Sequence, residues 1–182
     1  YSMIDETVYQ MIAQILGPED VLDQNMLMRL QTESRLVFRH SPQLDLDDQQ
    51  ASSPSLVLKI LRDWAQNIYR KRVEEIGPEL STRYERFYVL EKIDENWRQH
   101  LNGVDELREG IGLRGYGQKD PLLEYKSEAY KLFLQTVERL NRDVVSTLFR
   151  VFDVGAVVEE DEMQHERPSQ YKTMHQQVQT LG

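Results

Sequence analysis

The chain has 182 residues, of which 40% are hydrophobic and none is cysteine. That is apolar material for one domain or two small ones. No run approaches the ~18 consecutive apolar residues of a membrane-spanning helix, and disulfides and thiolate metal sites are excluded. The formal charge of −9 argues against a general nucleic-acid partner, which must present clustered Lys and Arg to phosphates. Residues 1–78 carry 8 basic and 12 acidic side chains, residues 79–152 carry 12 and 13, and residues 153–182 carry 2 and 6. The middle is thus nearly balanced and the tail is the most acidic for its length. The absence of cysteine fits a reducing compartment. No charged-then-apolar leader is visible, so no export signal is expected. Tyr1 is not an initiator residue, and the opening is expected to lie inside a longer polypeptide.

In chain order, Ile4, Val8, Ile12 and Ile15 are spaced for one face of an amphipathic helix over 3–16, ended by Gly17-Pro18. A second helix is expected from about Glu19, using Val21, Leu22, Met26, Leu30 and Val37. Residues 40–55, with two prolines and Asp45, Asp47 and Asp48, read as a loop. A third helix is expected from Ser55 to Ile76 on Leu56, Ile60, Trp64 and Ile68, with Gly77-Pro78 as a strong stop and a domain boundary.

Beyond it, Leu80, Tyr84, Phe87, Leu90, Ile93, Trp97, Leu101, Val104, Leu107 and Ile111 follow at steps of three or four. That predicts one helical rod about 48 Å long. Four glycines between Gly110 and Gly117 predict a turn. Asp120-Pro121 predicts a new helix start, with Asp as N-cap and Pro at the first helical position. The returning helix carries Leu122, Tyr125, Ala129, Leu132 or Phe133, Val137, Leu140, Val144, Leu148 and Val151. Two long amphipathic helices joined by a short turn are expected to bury these stripes against each other as an antiparallel hairpin. Neither stripe covers the whole circumference, so the pair has a further face on which another helix could lie. Residues 153–182, with Glu159-Glu160-Asp161-Glu162 and a Gln-rich end, read as a flexible acidic tail. The fold class expected is all-α: a small helical domain, a long two-helix hairpin and the tail.

Chemistry-bearing motifs are few. Gly110-Ile-Gly112-Leu-Arg-Gly115 fits the dinucleotide pattern G-x-G-x-x-G in letters. That motif works only after a strand and at a helix N-terminus, and here a long helix precedes it. No Gly-Lys phosphate loop is present. His40, His100, His165 and His175 lack metal-ligand spacing. Asp45, Asp47 and Asp48 lack the Gly and closing Glu of a calcium loop. No catalytic, cofactor or metal residues are expected in this chain. The hairpin tip is the exception in character. Leu113, Arg114, Tyr116, Gln118 and Lys119 lie on the glycine-rich segment at the end of two rods. Apolar and aromatic side chains on a projecting tip favour contact with a polypeptide surface over water.

The string from Ile93-Asp94-Glu95-Asn96-Trp97-Arg98-Gln99-His100-Leu101 through Val104-Asp105-Glu106-Leu107-Arg108-Glu109, Gly110 to Pro121, and on to Glu124-Tyr125-Lys126 closely resembles SecA. This is the ATPase motor family of preprotein translocation. The resemblance is clear over residues 80–151 and looser over Ser55–Ile76. It implies a helical wing domain at 1–77, the two-helix finger of the helical scaffold domain at 78–152, and the start of a largely disordered C-terminal linker at 153–182. It further implies that the tip, with Tyr116 as its tyrosine, contacts preprotein and a SecYEG-type channel. The hairpin would also contact other domains of the same motor and restrain the ATPase. Localisation would be cytoplasmic and peripheral at the inner face of the plasma membrane. ATP and Mg are expected with the parent's nucleotide-binding domains, which are absent here, so this segment is not expected to be an enzyme. A hairpin face that the family's long scaffold helix would cover is expected to promote self-association. The alternative is a purely structural helical interaction scaffold.

Overall fold

A computed structural model of the chain describes residues 1–17, 20, 22–44, 53–114 and 120–154, with 112–114 and 154 as backbone only. The described residues form five helices and no strand: α1 (Ser2–Ile15), α2 (Gln24–Phe38), α3 (Pro54–Ile76), α4 (Pro78–Arg114) and α5 (Pro121–Val154). Of the expected tail at 153–182, residues 153 and 154 continue α5, and the remainder lies outside the described residues.

Helix boundaries follow local chemistry. α1 buries Ile4, Val8, Ile12 and Ile15 as its spacing predicts, together with Met11 and Thr7. α2 starts later than expected. The Gly17 amide donates to Asp20 Oδ2 at 2.6 Å, and the Asp20 amide donates to the Gly17 carbonyl at 3.2 Å. These bonds close a local turn in place of the first helical one. Asp23 then caps α2 by accepting from the Met26 amide at 2.7 Å. α3 ends at Gly77, whose φ of 90° lies in the region open chiefly to glycine, and Pro78 opens α4 directly.

α3 turns a slightly different face inward from the one its largest side chains suggest. Val57, Leu61, Ala65 and Tyr69 are buried, and Trp64 and Ile68 pack at the margin. Ala65 is small and Tyr69 carries a hydroxyl, so neither stands out on a hydrophobicity count. Yet Ala65 allows close approach and Tyr69 finds a partner for its O–H.

The core sits at one end of the hairpin. It joins Ile4, Val8 and Met11 of α1, Leu30, Val37 and Phe38 of α2, Val57, Leu61, Ala65 and Tyr69 of α3, and Tyr84 of α4 to Val144, Leu148, Phe149, Val151 and Phe152 of α5. The cluster is continuous across the α3–α4 junction. Five rings form its centre. Phe149 meets Phe38 at 5.1 Å, edge to face, and Tyr69 at 5.8 Å; Phe38 meets Trp64 at 5.5 Å; and Phe152 meets Tyr69 at 5.5 Å. Aromatic pairs at such separations contribute about 0.5–1.5 kcal/mol beyond area burial. Phe149→Ala is therefore expected to destabilise the chain by about 3–5 kcal/mol, read as a lower denaturation midpoint. A loss under about 1 kcal/mol would show that this node does not hold the base together.

Tyr69 also bridges α3 to α4 by donating its hydroxyl to Glu85 Oε1 at 2.6 Å. Burial, and then the Glu85 carboxylate, push its ionisation well above the ordinary tyrosine range. The neutral phenol is the form the fold favours. Its contribution is thus fully present below the unfolded value of about 10 and is lost as pH rises above it. Tyr69→Phe should cost roughly 1–3 kcal/mol at neutral pH. The gap between variant and parent should narrow in unfolding curves above about pH 10; a gap that is constant with pH would refute the assignment.

Candidate functional site

Beyond the core only α4 and α5 continue, at 37 and 34 residues, or about 50–55 Å each. The start of α5 is as the sequence predicts. Asp120 Oδ1 accepts from the Leu122 amide at 2.9 Å, and its carbonyl accepts from the Glu124 amide at 3.1 Å. The end of α4 is not. The helix runs through Gly110 and Gly112 to Arg114; residues 115–119 lie outside the described residues. Each helical glycine costs about 1 kcal/mol relative to alanine, and burial of Ile111 in the same turn offsets it. The first five letters of the dinucleotide pattern, Gly110 to Arg114, thus fall inside a helix, where that motif requires a strand before it and a helix start within it. Of the predicted tip residues, Tyr116, Gln118 and Lys119 lie outside the described residues. Leu113 and Arg114 end α4, with side chains that lie outside them too.

The hairpin's interior corrects the expectation that its apolar stripes bury against each other throughout. They do so at the base. Midway, Leu90, Ile93, Trp97 and Leu101 of α4 and Phe133, Leu134 and Val137 of α5 are exposed. The residues between the helices are instead Asn96, His100 and Gly103 of α4 and Leu132 and Thr136 of α5. Asn96 is only 1% exposed. It donates from Nδ2 to the Lys92 carbonyl and to Asp143 Oδ2, both at 3.0 Å, and accepts from Arg139 Nε at 2.6 Å. His100 Nδ1 lies 3.1 Å from Thr136 Oγ1, which itself donates to the Leu132 carbonyl at 2.8 Å. The Leu132 side chain sits over Gly103, where an added Cβ would stand 3.1 Å from it. Every buried polar atom in this seam has a partner, which removes the penalty of desolvating it.

This arrangement rotates the apolar residues outward onto one shared face. Trp97 stacks at 5.1 Å on His100, and His100 meets the edge of Phe133 at 5.9 Å, so the exposed rows of α4 and α5 join across His100. At the flank of the seam, Lys92 pairs with Glu95 at 2.8 Å; the pair raises the Lys92 pKa and lowers that of Glu95.

Near the base, a cavity of about 300 Å³ is lined by Tyr1, Ile4, Val89, Val144, Phe149 and the Tyr69–Glu85 pair. Two ties were not legible in the sequence. Arg142 pairs with Glu33 at 2.6 Å, and Arg72 with Asp153 at 3.0 Å, with His40 Nδ1 3.8 Å from the same carboxylate. The partners stand 109 and 81 residues apart, and no local spacing signals such pairs.

Comparison with known proteins decides the family. Residues 1–152 match the family described as SecA Wing and Scaffold domain. The chain belongs to this family. It is 34% identical over 150 residues to the protein translocase subunit SecA of Syntrophomonas wolfei, a match covering 82% of this chain and 18% of that protein. To the SecA subunit of Rippkaea orientalis it is 39% identical over 147 residues, 81% of this chain and 16% of the relative. To that of Trichormus variabilis it is 52% identical over 85 residues, 47% of this chain and 9% of the relative. The chain spans less than a fifth of the length of the curated relatives it matches. Among the described residues no helix is long and apolar enough to cross a membrane.

Within this SecA wing-and-scaffold chain the exposed row is a contiguous apolar surface of the kind that seeks a partner. The chain is expected to self-associate, with an apparent mass that rises with concentration in sedimentation equilibrium. The double substitution Trp97→Glu and Phe133→Glu should suppress the association while helicity is retained. A strictly monomeric parent at high concentration would contradict this.

Proposed function

We propose that this chain is the non-catalytic part of a SecA translocase motor that carries movement to the transported polypeptide. In this reading residues 1–77 form the wing, 78–152 the two-helix finger, and 153–182 the beginning of a linker. The rod of α4 and α5 holds Leu113, Arg114, Tyr116, Gln118 and Lys119 against preprotein and a SecYEG-type channel. The exposed face lies against other domains of the same motor and restrains its ATPase. ATP and Mg belong to those domains; this chain holds no cofactor and performs no catalysis. The working location is the cytoplasmic face of the plasma membrane, reached through the channel.

One observation carries the reading. A two-helix rod, polar and well bonded along its seam, extends from a core that lies wholly at its base. Such a rod transmits displacement with little bending, and its far end, where α4 stops and α5 starts, lies away from the core cluster. Membership in a family whose relatives are named protein translocase subunits supports it.

The test uses the absence of cysteine. Tyr116→Cys, in a full-length motor otherwise free of cysteine, is expected to cross-link to a stalled preprotein or to the channel during ATP-driven transport, while Cys at a mid-helix position stays silent. Tyr116→Ala should impair transport and leave the melting temperature nearly unchanged, because a tip side chain adds little to the core. Silence at position 116 with transport intact would sink the tip reading. The exposed row of Trp97, Leu101 and Phe133 favours a second reading, an interaction scaffold whose tip is inert. In that case substitutions on the row, not at the tip, would abolish partner binding.

A further inference from the structure

We propose that Asn96, Arg139 and Asp143 act as positioning residues. With His100–Thr136 and the seating of Leu132 on Gly103, they lock the axial register of α4 against α5, and so fix where the hairpin holds its tip. The functional meaning of this lock rests on the tip reading above; the lock itself rests on geometry alone.

Apolar seams between helices tolerate sliding, because one leucine replaces another at each turn. A buried polar group with directional partners does not. Asn96 meets three such partners at once. Sliding α5 by one turn moves each of its residues by about four positions. In one direction Thr147 takes the place of Asp143 and Asp143 that of Arg139. The Asn96 carbonyl oxygen would then face a carboxylate. Turning the amide over is no remedy, because Nδ2 is also engaged by the Lys92 carbonyl of its own helix. In the other direction Arg139 takes the place of Asp143, and Nδ2, a donor, would face a guanidinium that only donates. Either slip also sets Leu132 or Leu140 opposite His100 in place of Thr136. Over Gly103 it sets Glu128 or Thr136 in place of Leu132. The three parts of the seam therefore agree on one register and penalise its neighbours.

The seam stands 18 residues before the end of α4, or about 27 Å along the axis. One turn of slip would displace the end of α4 relative to the start of α5 by about 5 Å.

The experiment places spin labels at Asp94→Cys and Ser127→Cys, both exposed, in the full chain, which has no other cysteine. Distances are measured by pulsed electron resonance. The parent seam should give one narrow distance. Asn96→Leu, with the same branching at Cγ, no polar atoms and good helix propensity, should give a second or broadened distance displaced by about 5 Å, with helicity retained by circular dichroism. Arg139→Leu removes one partner of Asn96 from an exposed position. It should broaden the distribution in the same sense if Asn96→Leu fails to fold. A single unshifted distance in the folded variants overturns the lock, whatever the tip does. The same Asn96→Leu change in a full-length motor labelled at Tyr116→Cys separates the two ideas. A slipped register with diminished tip cross-linking supports positioning. A slipped register with cross-linking and transport unchanged overturns it. A silent tip in a motor with the parent seam counts against the tip reading, and the distance measurement still decides the lock.

Discussion

The last three turns of α5 are the strip on which the rest of the molecule is fastened. Val144, Leu148, Phe149 and Phe152 meet side chains from all four other helices. α1 and α2, at 14 and 15 residues, are near the length at which an isolated helix is marginal in water. Their stability comes from laying an apolar face on this strip. α3 closes the arrangement through Tyr69, which touches Phe149 and Phe152 by its ring and Glu85 by its hydroxyl. Without the strip there would be two short helices, one of intermediate length and a hairpin, with no shared core.

The hairpin divides its tasks along its length. At the base, dry aromatic and aliphatic packing supplies stability. Midway, apolar burial gives way to satisfied polar contacts and a glycine. Such a seam adds little net free energy, since each bond replaces one to water, but it is directional and admits one register. The apolar residues this displaces, Trp97, Leu101 and Phe133 among them, then serve an outer face. A rod that stood alone would gain by burying them. Their exposure fits a segment spanning less than a fifth of the translocase subunits it resembles.

Much of this was readable from residue order. The helical class, the stops at Gly17 and Gly77, the cap at Asp120 and the two long rods depend on nearest-neighbour chemistry: backbone freedom at glycine, a missing N–H at proline, a carboxylate within reach of a bare amide. The string from Ile93 to Lys126 carries the resemblance to the SecA family, because a long uninterrupted run of matched residues holds more information than any periodicity. α2 starts later than its apolar spacing suggests, because Gly17 and Asp20 bond to each other and delay the helix to the cap at Asp23.

What the order of residues determined by itself was which segments are helices, the stops at Gly17 and Gly77, and the resemblance to the family; it missed the start of α2 and the run of α4 through Gly110 and Gly112 to Arg114. Which side of each helix faces inward was decided by the tertiary structure. In α3 the inward face is Val57, Leu61, Ala65 and Tyr69, and in the hairpin it is Asn96, His100 and Gly103. A periodicity count ranks side chains by hydrophobicity, and on that scale asparagine, histidine and glycine belong outside. They lie inside because a partner 36 to 47 residues away supplies the matching hydrogen bond, or because a facing leucine needs the room. Both are facts about pairs of residues distant in sequence, and they come into being only when the two helices meet.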